Sequence, residues 1–292
     1  MELNPERRKG NERLGTVIID ELRLCYTAKP LLLDTLREID MGERIYLNEC
    51  SLLRTKGQHF NYQFVLSNVE DSELGTLYFG QFGDEDSCFI WLKVANEVLY
   101  NTEQLTHTLS LCGELGMLFH HITALDLAVD SKKNFVSTIR KLYKDKGITT
   151  IINGKSIQDR KQIIPEMFIS YNVSLDRLCS PTFYCRQKKA LHDKTKGVCV
   201  CSYNKRAEIE QESEKEYILD FYGHPKKLHR LEVHLNSQEI RDYFTSRRLE
   251  QELDVVFNKE LLIEMFYYHL GAVIRFTNGR KKIDWRDIIE DK

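Results

Sequence analysis

Residues 229–235 read H-R-L-E-V-H-L, and this alternation decides the fold class. Successive side chains of a strand point to opposite faces, so Leu231, Val233 and Leu235 share one face and Arg230, Glu232 and His234 share the other. Outward from this strand, EMFISYNV (166–173), TFYCRQ (182–187), GVCVCSYNK (197–205) and EYILDFYG (216–223) also read as strands. Further upstream HITALDLAVD (121–130) reads as a strand that ends on an acid. The first hundred residues repeat the theme in TVIIDELRLCYT (16–27), ERIYLNE (43–49), QHFNYQFVL (58–66), GTLYFGQF (75–82) and SCFIWLKV (87–94). All are rich in β-branched and aromatic residues, and stretches such as SNVEDSELG and GDED separate the later ones.

Helical periodicity is confined to four segments. TEQLTHTLSLCGEL (102–115) carries Leu105, Leu109 and Leu115 as an apolar stripe. KNFVSTIRKLYKDKG (133–147) turns Phe135, Val136, Ile139, Leu142 and Tyr143 inward, with Gly147 as its stop. SQEIRDYFTSRR (237–248) and KELLIEMFYYHLGAVIRF (259–276) close the chain. Strands dominate and mix with helices, so the expected class is α+β on a mostly antiparallel sheet with flanking helices. The expected organisation is a flexible arm over 1–13, an α+β domain over 14–236 and a helical region over 237–292. The α+β domain is either one sheet or two subdomains, 14–117 and 118–236.

A formal net charge of −2 hides strong segregation. Over 132–146 six bases, among them Lys133, Arg140, Lys141 and Lys144, face Asp145 alone. Over 181–206 seven bases (Arg186, Lys188, Lys189, Lys194, Lys196, Lys205 and Arg206) face Asp193 alone, in two strands joined by QKKALHDKTKG. Over 208–220 six acids then face Lys215. A cationic helix and a cationic hairpin suit a nucleic-acid backbone, because phosphate contacts need only placed cations. A solvated basic face is the plainer meaning of either segment taken alone.

No window approaches eighteen uninterrupted apolar residues, so no membrane span is expected. The polar opening MELNPERRKGNERLG lacks a secretory apolar core, which predicts a cytoplasmic protein. The eight cysteines are then reduced thiols. Cys179, Cys185, Cys199 and Cys201 fall close together, but they lack the paired C-x-x-C spacing of a zinc site. Cys199 and Cys201, on one face of VCVC, read as small buried hydrophobes.

Three constellations carry chemistry. In LDLAVD (125–130) an aspartate inside an apolar strand is costly to bury unless paired or bound to a metal, which singles out Asp126; Asp130 reads as a turn or helix cap. In 229–235, Glu232 and His234 form a ligand set for Mg²⁺ or Mn²⁺, with an exposed sheet face and cross-strand ion pairs as the plain alternative. In SYNK (202–205) a lysine two residues past Tyr203 favours an ionised phenol, with Tyr184 on the partner strand.

In order, D-L-A-x-D, an apolar-aromatic strand, Y-x-K and R-x-E-V over roughly Ile122 to Leu235 resemble the replication initiation factor family, whose members start rolling-circle replication of small plasmids and some filamentous phages. The resemblance implies their palm-like fold and a metal-dependent, site-specific endonuclease that binds an origin duplex, often as a homodimer, and opens a single strand. A tyrosine attacks one phosphodiester, becomes linked to the 5′ phosphate and frees a 3′-hydroxyl that primes a host polymerase working with a host helicase. By motif, Asp126, Glu232 and His234 are the metal ligands for Mg²⁺ or Mn²⁺. Either Tyr203 or Tyr184 is the nucleophile, and Lys205 is its electrostatic partner. Arg186, Lys188, Lys189, Lys194, Lys196, Arg206, Arg230, Lys133, Arg140, Lys141 and Lys144 are the DNA contacts. A non-catalytic origin-binding protein on the same scaffold is the alternative.

Overall fold

A computed structural model describes residues 13–47, 49–81, 88–159, 164–170, 173–174, 177–178, 181–192 and 196–290. The expected arm over 1–13 and the expected DNA contact Lys194 therefore lie outside the described residues, Arg13 excepted. The chain is α+β with a large antiparallel sheet. It divides into two compact units, one of Asp20–Leu125 with Phe244–Asp254, the other of Met1–Ile19, Asp126–Tyr243 and Val255–Lys292.

The first unit takes its sheet from β1 (Val17–Ala28), β2 (Arg44–Leu47), β3 (Cys50–Thr55), β4 (Phe60–Asn68), β5 (Glu73–Gln81), β6 (Phe89–Val94) and β7 (Met117–Ser131). Their order is β7-β1-β6-β5-β4-β3-β2, mostly neighbours in sequence joined as antiparallel hairpins. Alternate positions on these strands face the core: Leu22, Leu24, Phe64, Leu66, Leu77, Phe79, Ile90 and Leu92 are all fully buried. Each such side chain contributes roughly 1.5–3 kcal/mol of burial. The helix Thr102–Glu114 starts on Asn101, whose carboxamide oxygen accepts from the Glu103 and Gln104 amides. Gly116, at φ +79°, makes the left-handed turn from that helix into β7.

The second unit continues with β8 (Ile148–Ile152), β9 (Lys155–Ser156), β10 (Met167–Ser170), β11 (Val173–Ser174), β12 (Arg177–Leu178), β13 (Thr182–Arg186), β14 (Cys199–Tyr203), β15 (His229–Asn236), β16 (Ile274–Asn278) and β17 (Lys281–Ile283). Its main row runs β10-β13-β14-β15-β7. The helices Phe135–Lys144 and Lys259–Val273 pack against β14 and β15, whose Val200, Leu231 and Val233 are fully buried.

Two segments differ from the secondary structure their sequence suggests. EYILDFYG is not a strand but contains the helix Glu216–Phe221. Ile218, Leu219 and Tyr222 lie on one helical face and are all buried, whereas a strand would send Ile218 and Leu219 to opposite sides. The region 237–292 is not wholly helical, because β16 and β17 form a hairpin in a four-stranded sheet of order β17-β16-β8-β9. Ile274 and Phe276 are buried on either side of exposed Arg275, and the Trp285 indole N–H donates to the Ile274 carbonyl at 2.9 Å. Arg13 is held in place: its guanidinium donates to the Phe221 carbonyl at 3.0 Å and lies over the Phe221 ring.

Candidate functional site

The site is built by register. β14 and β15 pair so that Cys201 lies opposite Glu232, Tyr203 opposite Arg230 and Cys199 opposite His234. β13 sets Tyr184 opposite Cys201, and β10 sets Phe168 opposite Tyr184. On the far side of β15, Arg230 meets Asp130 and His234 meets Asp126. These contacts step in opposite chain directions, as antiparallel neighbours do. One face of four strands therefore carries Tyr184, Cys201, Tyr203, Arg230, Glu232, His234, Asp126 and Asp130. It is not the solvated face that alternation in 229–235 allowed: Arg230 is 0% exposed and Glu232 5%.

The two ends of this face differ. At one end Arg230 donates from Nε to Asp130 Oδ1 at 2.8 Å and from Nη2 to Asp130 Oδ2 at 2.6 Å. Both side chains are fully buried. The fork-to-fork geometry satisfies both carboxylate oxygens, as a buried ion pair requires. Arg230 is thus not placed to meet a DNA phosphate. Asp130 neither starts a turn nor caps the basic helix, since that cap is Asn134, which accepts from the Ser137 amide.

At the other end Asp126, Tyr203 and His234 remain partly exposed beside the buried Glu232 and Cys201. Asp126 Oδ2 lies 2.8 Å from His234 Nδ1, and His234 Nε2 lies 3.3 Å from Cys201 Sγ. Cys201 Sγ is 3.7 Å from Glu232 Oε2, and the Tyr203 hydroxyl donates to the same oxygen at 3.1 Å. Burial opposes protonation of His234, but Glu232, Cys201 and the Asp126 hydrogen bond outweigh it and raise its pKa well above the ordinary value. Burial pushes the Cys201 thiol up to about 12, reinforced by Glu232. Carboxylate, imidazole and thiol in a row are also the order of a thiol nucleophile. A thiol 4% exposed and raised this far is the wrong group for attack on a substrate.

The structure brings Asp126, Glu232, His234 and Tyr203 together and adds Cys201, which sequence reasoning assigned to the apolar core. The signal was present in its alternation with Cys199, but only the pairing with β15 gives it meaning. The two tyrosines are separated by environment. Tyr184 stacks on Phe168 with ring centroids 5.1 Å apart, and Arg186 lies 5.2 Å from both rings. Burial, then Cys201 and Cys199, raise the Tyr184 phenol above its ordinary value. Tyr203 alone is hydrogen-bonded to the carboxylate.

Lys205 is not on the strand. Asn204 accepts from the Ala207 amide and starts the helix Lys205–Glu208, which buries Lys205 against Glu208 at 2.8 Å. Its ammonium still lies 5.7 Å from the Tyr203 ring centroid, within cation–π range.

The basic residues divide similarly. Arg140, Lys141 and Lys144 are exposed on the helix Phe135–Lys144, while Lys133 just before it is half-buried. Lys188, Lys189 and Lys196 are exposed between β13 and β14, although Lys189 is ion-paired with Glu239. Arg206 is engaged within the chain, reaching Glu210 at 2.7 Å and the Pro225 carbonyl at 2.7 Å. Its guanidinium is therefore directed to its own chain rather than to a DNA strand.

Among the described residues one other group of metal-binding type forms, Cys25 with His120 and His121 in the first unit. Compared with protein-family models and with curated proteins, the chain matches none.

Proposed function

We propose that this protein is a tyrosine nicking endonuclease of the rolling-circle initiator kind, palm-like in fold, that cuts one strand of plasmid or phage DNA at an origin. The observation that carries the reading is the 3.1 Å hydrogen bond from the Tyr203 hydroxyl to Glu232, on a face shared with His234 and Asp126. In this reading Glu232 accepts the phenolic proton as Tyr203 Oη attacks the scissile phosphorus. The bond from phosphorus to the 3′ oxygen breaks and its electron pair goes to that oxygen. Glu232 returns the proton there, leaving a 3′-hydroxyl and a 5′-phosphotyrosine.

A divalent ion at this face would be held by Glu232 and His234 and would supply Lewis-acid polarisation of the phosphate. Asp126 acts on the imidazole, since its Oδ2 occupies His234 Nδ1. With the Cys201 thiol 3.3 Å from His234 Nε2, the donor chemistry fits an ion that accepts nitrogen and sulfur better than it fits Mg²⁺, whose sites are oxygen sites.

Substrate features follow from the neighbouring groups. Phe168 is 39% exposed beside Tyr184 and Arg186, a stacking platform for an unpaired base. Arg140, Lys141 and Lys144 supply an electrostatic track for the backbone. Tyr203 is favoured over Tyr184 as nucleophile because Tyr184 belongs to that platform.

Supercoiled plasmid carrying the cognate origin, incubated with the protein and Mn²⁺, tests the reading. Relaxation with protein covalently attached, kept in Tyr184→Phe and lost in Tyr203→Phe, is the expected result. Retarded DNA with neither nick nor adduct would replace it with a non-catalytic origin-binding protein.

A further inference from the structure

We infer that the face holding Tyr203 takes a zinc-class divalent ion, bound by Cys201 Sγ, His234 Nε2 and a Glu232 carboxylate oxygen. The inference rests on the nicking reading for the role of the ion, but its grounds are geometric. These three donor atoms lie within 4.8 Å of one another. Sulfur to nitrogen is 3.3 Å and sulfur to oxygen 3.7 Å. Ordinary zinc–sulfur, zinc–nitrogen and zinc–oxygen bond lengths at tetrahedral angles give ligand-to-ligand edges of about 3.4–3.6 Å. The two edges that meet at sulfur thus already stand near the separation that one ion would impose, and the third is within 4.8 Å.

The outer contacts agree. Asp126 takes His234 Nδ1 at 2.8 Å and leaves Nε2 directed at the thiol. That is the carboxylate–histidine order which orients an imidazole toward a metal. A cysteine serving only as a small apolar group has no need of a carboxylate and an imidazole converging on its sulfur. Gathering three ionisable groups at one half-buried point is costly unless something compensates them. A thiolate and an imidazole select zinc-like ions over Mg²⁺, and three protein donors leave the fourth tetrahedral place to water or substrate, the pattern of catalytic rather than structural zinc. The Tyr203 hydroxyl rests on the same carboxylate.

Cobalt titration of the full chain tests this, because Co²⁺ substitutes for zinc and reports its ligands by colour. One equivalent is expected to give tetrahedral visible bands and a near-ultraviolet thiolate charge-transfer band. Zn²⁺ should displace it, and millimolar Mg²⁺ should not. The charge-transfer band should vanish in Cys201→Ser, and Asp126→Asn should weaken binding by about 10–100-fold.

Should Cys201→Ser fail to fold, X-ray absorption on the wild-type zinc protein replaces it, with one sulfur at about 2.3 Å and nitrogen or oxygen at about 2.0–2.2 Å expected. A cobalt spectrum without the thiolate band, an unchanged band in Cys201→Ser, or a zinc shell without sulfur would overturn the assignment. Nicking that proceeds with Mg²⁺ while no thiolate band forms would overturn it and leave the nicking reading standing. A thiolate band lost in Cys201→Ser, in a protein that never nicks, would keep the ion and remove the nicking.

Discussion

Strands β7 and β15 carry two carboxylate–base pairs on one face, and the two have been put to different uses. Asp130–Arg230 is fully buried, and both carboxylate oxygens accept from the guanidinium. Asp126–His234, four residues along each strand, is half-open and leads on to Cys201, Glu232 and Tyr203. An arginine presents a rigid fork of donors with no acceptor, so pairing it bidentately makes a brace. An imidazole has two unlike nitrogens, so fixing one leaves the other for a metal or a proton. The chemistry of the base, rather than the strand it sits on, separates the brace from the reactive end.

The contrast is sharpest in activity. Glu232→Gln keeps an acceptor for Tyr203 but no longer accepts its proton, so nicking is expected to fall by about 10²–10⁴-fold. Folding stability should change by only about 1 kcal/mol. Single-turnover cleavage of an origin oligonucleotide, beside urea denaturation, measures both.

The brace should behave in the opposite way. Arg230→Ala strands the buried Asp130 charge and is expected to cost about 3–5 kcal/mol. Replacing both residues with apolar side chains of similar volume should recover most of that loss. Equal stability losses for Arg230→Ala and His234→Ala would erase the distinction between the two ends.

How far this face was legible in the sequence follows from the same pairs. Alternation in 229–235 put Arg230, Glu232 and His234 together on one face, because strand period is a local property. Pairing is not local. Arg230 meets an aspartate one hundred residues upstream, and without that partner an arginine on a strand reads as a phosphate contact. Cys201 was hidden for the same reason, since VCVC looks apolar until β15 is set beside it. Lys205 was misplaced by a signal that was local: Asn204 is a good helix cap, and the strand ends at Tyr203, two residues earlier than a Y-x-K reading supposes.

Elsewhere, β2, β4, β5 and β6 emerged from their aromatic and β-branched runs, while the helix Pro30–Arg37 and strands β3 and β8 escaped detection. Those three are short, and a short apolar run fits either period.

A smaller effect is expected outside the face. Changing Arg140, Lys141 and Lys144 together to Gln should weaken single-stranded DNA binding and lower its log–log salt slope by about two, with little change in cleavage of bound DNA. Fluorescence anisotropy across a salt series reads the slope, and an unchanged slope would return that helix to the role of a solvated face.

The smallest effect is on pH dependence, where β15 again offers a comparison. Burial, then Lys227, lowers the His229 pKa below 6.5, whereas His234 is raised well above it. In metal-free protein His229 therefore loses stability for the fold as pH falls below 6.5. His234 contributes stability that is complete below its unfolded value and is lost as pH rises through its raised folded value. Imidazole NMR titration should find His234 still charged at a pH where His229 is neutral; the reverse order would contradict the hydrogen-bonding assigned to Asp126.

In the proposed reaction Tyr203, through Glu232, is the group that attacks DNA. Trapping the protein on a single-stranded origin oligonucleotide, digesting the complex and mapping the nucleotide-bearing peptide by mass spectrometry tests it directly. A phosphodiester-linked nucleotide on Tyr203 is the predicted result. The same modification on Tyr184, or a nicked oligonucleotide with no tyrosine adduct, would contradict it.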